Sequence, residues 1–136
     1  MGMCAEHVLR LKFKDSEAET KAVKAAAALI RKYDDEGTAL FHMERRAEDG
    51  VTPDSLAGIA KMLLAYEQGE VNEYKWRGFR CFANCFDSTY GWFDVVYDVF
   101  AAMAPYLIDD SKYSCDECGE AVVRNGRIFD SSPVCE

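Results

Sequence analysis

A chain of 136 residues, of which 49% are hydrophobic and 29% charged, fits one domain over residues 1–136 and excludes an intrinsically disordered protein. Its 24 acidic and 16 basic side chains leave a net charge of −8, which argues against general binding of nucleic acid or anionic lipid. No apolar run reaches the roughly 18 residues of a membrane span and no secretory signal is evident, so we expect a cytoplasmic protein with reduced cysteines.

The first 50 residues predict two strands and a helix. Polar and apolar side chains alternate over residues 7–14, which is typical of a strand with one wet face. Asp15 or Ser16 can cap an alanine-rich helix that Gly37 ends. A shorter alternation over residues 38–46 predicts a second strand.

The middle of the chain predicts a helix and a buried strand. Thr52, followed by Pro53, is expected to cap a second helix that ends at Gly69. Apolar side chains on both faces of residues 76–86 predict a central strand covered on both sides. Residues 75–80 also interleave basic and aromatic side chains. Such a segment can stack on bases, but in an acidic chain we interpret it as the solvent-facing start of this strand.

The last third of the chain predicts a helix and a hairpin. The helix begins after Asp87 or Ser88 and stops at Pro105. Asn125-Gly126, between two β-type runs, predicts a hairpin, and residues 112–117 add a strand before it. The element order β-α-β-α-β-α-β-β, with this further strand, predicts a two-layer α+β fold with a mixed or antiparallel sheet of about five strands and three helices.

Two cysteines near the end have metal-binding spacing. Cys115 and Cys118 lie two residues apart before a glycine, as in a zinc-binding turn. With the hairpin that follows, residues 113–136 resemble a zinc ribbon, in which two such turns hold one structural zinc ion. The resemblance implies Cys115, Cys118 and Cys135 as ligands, and Ser132 stands where the fourth cysteine would be.

The sequence does not determine the fourth ligand for such an ion. It could be Asp130, an external group, or a residue of the Cys4 and His7 pair near the start. The alternative is a plain β-meander with incidental cysteines and no cofactor, which we favour. Cys81 and Cys85 would lie about 13 Å apart in a strand, too far to share one ion, so we expect them to pack in the core.

Catalysis has the weakest support. A thiol activated by an imidazole would need Cys81 beside His7 or His42, which no spacing requires. Asp94 and Asp98 lie four residues apart on the polar line of the third helix and could hold a divalent cation or act as acid and base. The simpler interpretation is the solvated seam of an otherwise buried helix.

Aromatic residues are concentrated in one region, since 11 of the 17 lie between positions 74 and 106. The third helix is apolar around more of its circumference than one sheet face can cover. We therefore expect Trp92 or Tyr97 to be exposed and to anchor a protein partner or a second copy.

These patterns favour a small acidic regulatory protein that binds another protein and has no catalytic activity. Compact acidic chains without enzyme motifs include immunity proteins, antitoxins and inhibitors, a likeness of class without matched residues. The partner would carry a basic surface or be a second copy in a homodimer. The carboxylates expected to face it are Asp94, Asp98, Asp109, Asp110, Asp116 and Glu117.

Overall fold

The computed structural model describes residues 5–39, 41–65, 70–86, 90–116 and 119–131, without the side chains of Tyr90, Asp130 and Ser131. No helix among these residues is long and apolar enough to cross a bilayer. A 3₁₀ turn over Ala104–Tyr106 follows the last helix. In chain order the elements are β1 (Ala5–Leu11), α1 (Ser16–Glu36), α2 (Met43–Glu48), α3 (Leu56–Leu64), β2 (Asn72–Trp76), β3 (Phe79–Phe86), α4 (Tyr90–Met103), β4 (Lys112–Cys115), β5 (Gly119–Arg124) and β6 (Arg127–Ser131).

One antiparallel sheet holds all of the strands that the structure describes, in the order β2-β3-β1-β4-β5-β6. The predicted α+β fold is therefore confirmed, with one strand and one helix more than expected in the described part of the chain. The first strand is central, because β1 pairs with β3 on one side and with β4 on the other.

The two faces of this sheet have different surroundings. We call one the helix face, because every strand residue of the hydrophobic core lies on it together with residues of α1, α3 and α4. The opposite face, which we call the open face, carries the alternate residues of the same strands, and several of these are exposed. A cross-strand row on the helix face is at most 1% exposed and consists of Phe82, Leu9, Tyr113 and Ala121.

Local signals fix the ends of α1. The side chain of Asp15 accepts a hydrogen bond from the backbone N–H of Ala18 at 2.7 Å, so Asp15 is the cap of this helix. Gly37 ends the helix in the left-handed conformation at φ 73°, where a glycine has no steric penalty. The alanine stripe of the helix is fully buried at Ala22 and Ala26, which lets α1 lie close against its neighbours.

The strand predicted over residues 38–46 is wrong, because the chain forms the short helix α2 there. A short alternation of apolar and polar residues does not distinguish a strand from a loop that leads into a helix. Ala39 and Phe41 enter the core from this segment, and His42 turns the chain with φ 53°. Arg46 of α2 then donates hydrogen bonds to the carbonyl oxygens of Lys61 and Ala65 at the end of α3.

The second predicted helix is shorter than expected. Its cap is Ser55, whose Oγ accepts a hydrogen bond from the N–H of Gly58 at 3.0 Å, and Thr52 lies outside the helix. The chain before the helix passes so close that a Cβ atom at Gly58 would lie 1.8 Å from the carbonyl oxygen of Thr52. The helix ends at Leu64, and the predicted stop at Gly69 lies outside the described residues.

The central strand predicted over residues 76–86 is two strands. A tight turn at Arg77-Gly78, with φ values of 50° and 86°, separates β2 from β3. Gly78 was the available signal, since a left-handed position favours glycine. Apolar residues on both sides of the turn concealed it, and β2 forms the outer edge of the sheet with all five of its residues exposed.

The C-terminal hairpin is confirmed. Asn125 and Gly126 both have positive φ values, 53° and 75°, as a type I′ turn between antiparallel strands requires. The third predicted helix is also present as α4, and the 3₁₀ turn that contains Pro105 follows it. Its predicted caps, Asp87 and Ser88, lie outside the described residues.

Candidate functional site

Two of the predicted carboxylates lie together on the solvent side of the helix layer. Asp94 and Asp98 are exposed on α4, and the opposite side of this helix is buried in the core. The hydroxyl of Tyr33 on α1 donates to Asp98 at 2.7 Å. This hydrogen bond is the main cause that raises the pKa of Tyr33, and the negative charge of Glu36 raises it further. We call Asp94, Asp98 and Glu36 the acidic helix surface.

The remaining predicted carboxylates are bonded within their own chain. Asp109 accepts a hydrogen bond from the N–H of Asn125 at 2.8 Å, and Asp110 forms an ion pair with Arg124. Both contacts hold the segment before β4 against the β5–β6 hairpin. Asp116 accepts from the N–H of Glu6 at 3.3 Å, and Glu117 lies outside the described residues. These side chains therefore have structural contacts besides any contact with a partner.

Of Trp92 and Tyr97, one of which the sequence predicts to be exposed, Trp92 is buried with only 7% of its surface accessible. Its indole N–H donates to the carbonyl oxygen of Leu63 on α3 at 2.8 Å, and its ring packs against Phe41 at 5.4 Å. The segments around α2 and α3 thus cover the part of the apolar surface of α4 for which the sequence predicted no contact within the chain. Tyr97 is half-buried beside Phe93, with their ring centroids 6.3 Å apart.

The cysteines of β3 have different states. Cys81 is a buried free thiol, as expected, and burial is the main cause that raises its pKa. Cys85 is exposed and disulfide-bonded. The expectation that Cys85 packs in the core is therefore wrong. Since alternate residues of a strand share a face, both side chains lie on the open face, and the sheet separates Cys81 from His7 on the helix face.

A histidine and a cysteine do meet, but in the core. His7 is fully buried, with Nδ1 at 2.8 Å from the hydroxyl of Tyr113 and Nε2 at 3.9 Å from Sγ of Cys115. The imidazole also stacks on Phe86 at 4.2 Å. Burial lowers the pKa of His7 to about 4, so the ring is neutral near pH 7. With Cys115 only 4% exposed, this pair has no surface for a substrate.

Most of the predicted zinc ligands lie outside the described residues, namely Cys118, Cys135 and Cys4. The side chain of Asp130 is not described either. Cys115 is described, and beside it lies the imidazole of His7, a group of the kind that binds zinc in proteins. Within the described part of the chain no group of three histidine, cysteine or acidic side chains could hold a metal ion.

A groove of about 710 Å³ lies between α1 and the start of α3. Four of its five charged side chains are paired with one another or with neighbours, and the fifth, Lys24, has no ion-pair partner among the described residues. Arg31 contacts Asp54 at 2.9 Å, and Arg80 contacts Glu73 at 2.9 Å and Glu19 at 3.9 Å. Because most of these charges are already compensated, the groove indicates no particular ligand.

The large exposed hydrophobic side chains of the described residues are Tyr74, Trp76 and Phe129. All three lie on the open face, near opposite edges of the sheet. Sequence reasoning missed this surface, because it assigned residues 76–86 to a strand with both faces covered. The alternation of basic and aromatic residues over 75–80 was the signal that could have found it.

Comparison with known proteins identified no matching family model, no similar curated protein and no similar solved structure. The fold class is thus a two-layer α+β protein with a six-stranded antiparallel sheet in its described part. Function has to be inferred from the surfaces of this chain itself.

Proposed function

We propose that this chain is a regulatory protein that binds another protein and has no catalytic activity, in the manner of immunity proteins, antitoxins and inhibitors. The acidic helix surface is the observation that carries this proposal. Its carboxylates are exposed on helices whose other side is buried, so α1 and α4 hold the charges rigidly. Rigid exposed charges favour association with a complementary surface because little side-chain order is lost on binding.

The proposed partner is a protein with a basic surface. Negative potential around Asp94 and Asp98 would steer such a partner and accelerate association. A second copy would bring the same negative charges against each other at this surface, so a basic partner is favoured over a homodimer there. Asp109, Asp110 and Asp116 would add to the field but not to the rigid contact, since each is bonded within the chain.

Charge reversal tests this proposal. The variant with Asp94→Lys and Asp98→Lys should lose the basic proteins that the wild-type chain captures from cell extract at low salt. A control with Glu17→Lys and Glu44→Lys makes the same change of charge at exposed sites elsewhere and should retain them. Captured proteins that are not basic, or capture that survives both high salt and reversal at Asp94 and Asp98, would contradict the electrostatic mechanism.

A second candidate is a module stabilised by zinc, favoured by one contact. Sγ of Cys115 and Nε2 of His7 are 3.9 Å apart, close to the separation of two ligands around one tetrahedral ion with bonds of about 2.0–2.3 Å. The hydroxyl of Tyr113 would orient the imidazole from its other nitrogen, as outer hydrogen bonds do at zinc sites. Cys118 and Cys135 would supply the ligands that the zinc-ribbon resemblance implies.

Elemental analysis of protein purified without chelator tests this candidate. Stoichiometric zinc and a lower Tm after addition of chelator are expected. Substoichiometric zinc with an unchanged Tm contradicts it.

We propose the cytoplasm as the location, and Cys85 provides its test. A disulfide at an exposed cysteine is reduced in a compartment buffered by glutathione. Alkylation of intact cells before lysis should therefore modify Cys85, and the buried Cys81 should remain unmodified as the internal control. Recovery of Cys85 only after chemical reduction would indicate an oxidising compartment instead.

A further inference from the structure

The open face presents aromatic and cationic side chains along a single line. The strand register aligns one residue from each strand in a row that crosses the whole described sheet. At its ends, Tyr74 is 42% and Phe129 is 58% exposed, and the cations between them are partly exposed. In order from β2 to β6, the row consists of Tyr74, Cys81, Arg10, Lys112, Val122 and Phe129.

The charge of this face is opposite in sign to that of the whole chain. Six cations on it exceed four carboxylates by two, although the chain carries −8. Two of the carboxylates are already paired with two of the cations. The other four cations, Arg10, Lys12, Arg77 and Arg127, have no ion-pair partner in the described part of the chain, although Arg10 donates to the backbone oxygen of Asp110. The carboxylates are Glu6, Asp110, Asp116 and Glu120, and the cations are Arg10, Lys12, Arg77, Lys112, Arg124 and Arg127.

From this arrangement we propose that the open face binds single-stranded nucleic acid, which crosses the sheet roughly at right angles to its strands. Exposed aromatic rings on an open sheet stack with unpaired bases, and cations between the rings neutralise phosphates. Across six strands the row spans about 24 Å at ~4.8 Å per strand, enough for roughly four nucleotides. This site lies on the other side of the sheet from the acidic helix surface and is independent of it.

Trp76 lies next to Tyr74 on the same face and indicates how a base would enter. Its ring has the guanidinium of Arg10 at 4.7 Å and that of Arg77 at 4.9 Å. Arg10 is fixed by two hydrogen bonds to the carbonyl oxygen of Asp110, whereas Arg77 is an exposed residue of the β2–β3 turn. A base would replace Arg77 on the ring, and the released guanidinium would contact a phosphate.

The alternative occupant is a protein with an acidic surface. Protein interfaces have an apolar centre with few lysines and a polar rim. Here Arg10 and Lys112 occupy the middle of the row and the exposed aromatic residues stand at its ends, which favours a ligand with regularly spaced negative charges. The net charge of −8 does not prevent such binding, since charges farther away than the Debye length of about 8 Å are largely screened at physiological salt.

Oligonucleotides test the proposal directly. Labelled thymidine or uridine oligomers of about 12 nucleotides, longer than the ~4-nucleotide span, should bind the full chain with an affinity that falls as salt rises. Binding should quench the fluorescence of the exposed Trp76 more than that of the buried Trp92. Failure of the wild-type chain to bind at low salt would overturn the proposal.

Two double variants test whether the open face is the surface that binds the oligomers. Tyr74→Ala with Phe129→Ala should weaken binding by about tenfold or more, since one stacked base contributes roughly 5- to 150-fold. Lys12→Gln with Arg127→Gln should reduce the salt slope by about 1.4, at ~0.7 for each phosphate contact on a single strand. Lys21→Gln with Lys32→Gln removes the same charge from exposed sites on α1 and should change neither quantity.

Two results would overturn the assignment even if the oligomers bind. One is equal weakening by the α1 variants, which would indicate non-specific attraction. The other is a glutamate peptide of similar length that competes as well as the oligomer, which would indicate an acidic protein partner. Because these variants leave Asp94 and Asp98 unchanged, capture of basic proteins through the acidic helix surface can succeed or fail separately.

Discussion

The helix face and the open face are formed by alternate residues of the same strands, yet they have opposite chemistry. On β1, Leu9 is 1% exposed and the adjacent Arg10 points to the other face, where it stacks on Trp76. The centre of the helix face excludes charge because α1, α3 and α4 cover it, and charged residues of this face such as Arg80 and Glu73 lie toward the β2 edge. The open face instead hides the buried Cys81 beneath the long side chains around it. A single net charge for the chain therefore does not describe either surface.

The largest expected loss of stability distinguishes two neighbouring residues of β1 that lie on opposite faces of the sheet. Leu9→Ala leaves a cavity in the core and should lower the free energy of unfolding by about 2–5 kcal/mol. Val8→Ala changes the preceding residue, which is partly exposed on the open face, and should cost less than ~1 kcal/mol. Chemical denaturation of both variants measures the difference. Equal losses would mean that the open face is covered as well as the helix face.

Acid should weaken the helix face through His7. The folded pKa of about 4 lies below the ordinary value of 6.5, so the unfolded chain takes up a proton first as the pH falls. Stability is thus fully present above pH 6.5 and declines by about 3 kcal/mol as the pH falls to 4.

Denaturation at several pH values, in the presence of chelator, measures this decline. His7→Gln should remove most of it, whereas His42→Gln should keep it. A decline that is unchanged in His7→Gln would assign it to other groups.

The two tryptophans provide a smaller contrast. Trp92→Phe removes a buried hydrogen bond to Leu63 and should cost about 1–3 kcal/mol, because the carbonyl loses its partner. Trp76→Phe, at 43% exposure, should cost less than ~0.5 kcal/mol. Acrylamide should quench the fluorescence that remains in Trp92→Phe but hardly that in Trp76→Phe. The reverse order of quenching would mean that Trp92 is exposed and Trp76 is buried.

The smallest effect concerns the acidic helix surface. Asp98→Asn removes the charge that accepts the hydrogen bond from Tyr33 and should lower the pKa of this tyrosine toward its ordinary value. The raised folded pKa stabilises the protein below the ordinary tyrosine pKa, and this contribution is lost as the pH rises through the folded value. Ultraviolet titration measures the shift. Asp94→Asn is the matched control, and an equal shift there would mean that general charge acts rather than the bond.

Features with short-range signals could be predicted from the sequence. The cap and stop of α1, the apolar span of α4 and the Asn125-Gly126 turn each depend on residues a few positions apart. The helix α2 could not be predicted in this way. It is stabilised by Arg46, whose acceptors at Lys61 and Ala65 are 15 and 19 residues away.

The surfaces were harder still to predict from the sequence, because they are formed by contacts between residues that are far apart in the chain. The sequence around Trp92 does not show that this side chain is buried. Its hydrogen-bond acceptor is the carbonyl oxygen of Leu63 on α3, which is 29 residues away. His7 meets Cys115 across 108 residues, so its spacing to Cys4 was no guide. The open face became visible only when the register brought Tyr74 and Phe129 into the same row.

The close approach at Gly58 has a consequence for evolution. No side chain fits there unless the preceding segment, which carries the Ser55 cap, moves away. Selection should therefore retain glycine at this position in any descendant that keeps α3 docked. A glycine three residues after a serine and six after a threonine, in the first turn of a short apolar helix, is a signature with which distant relatives can be recognised.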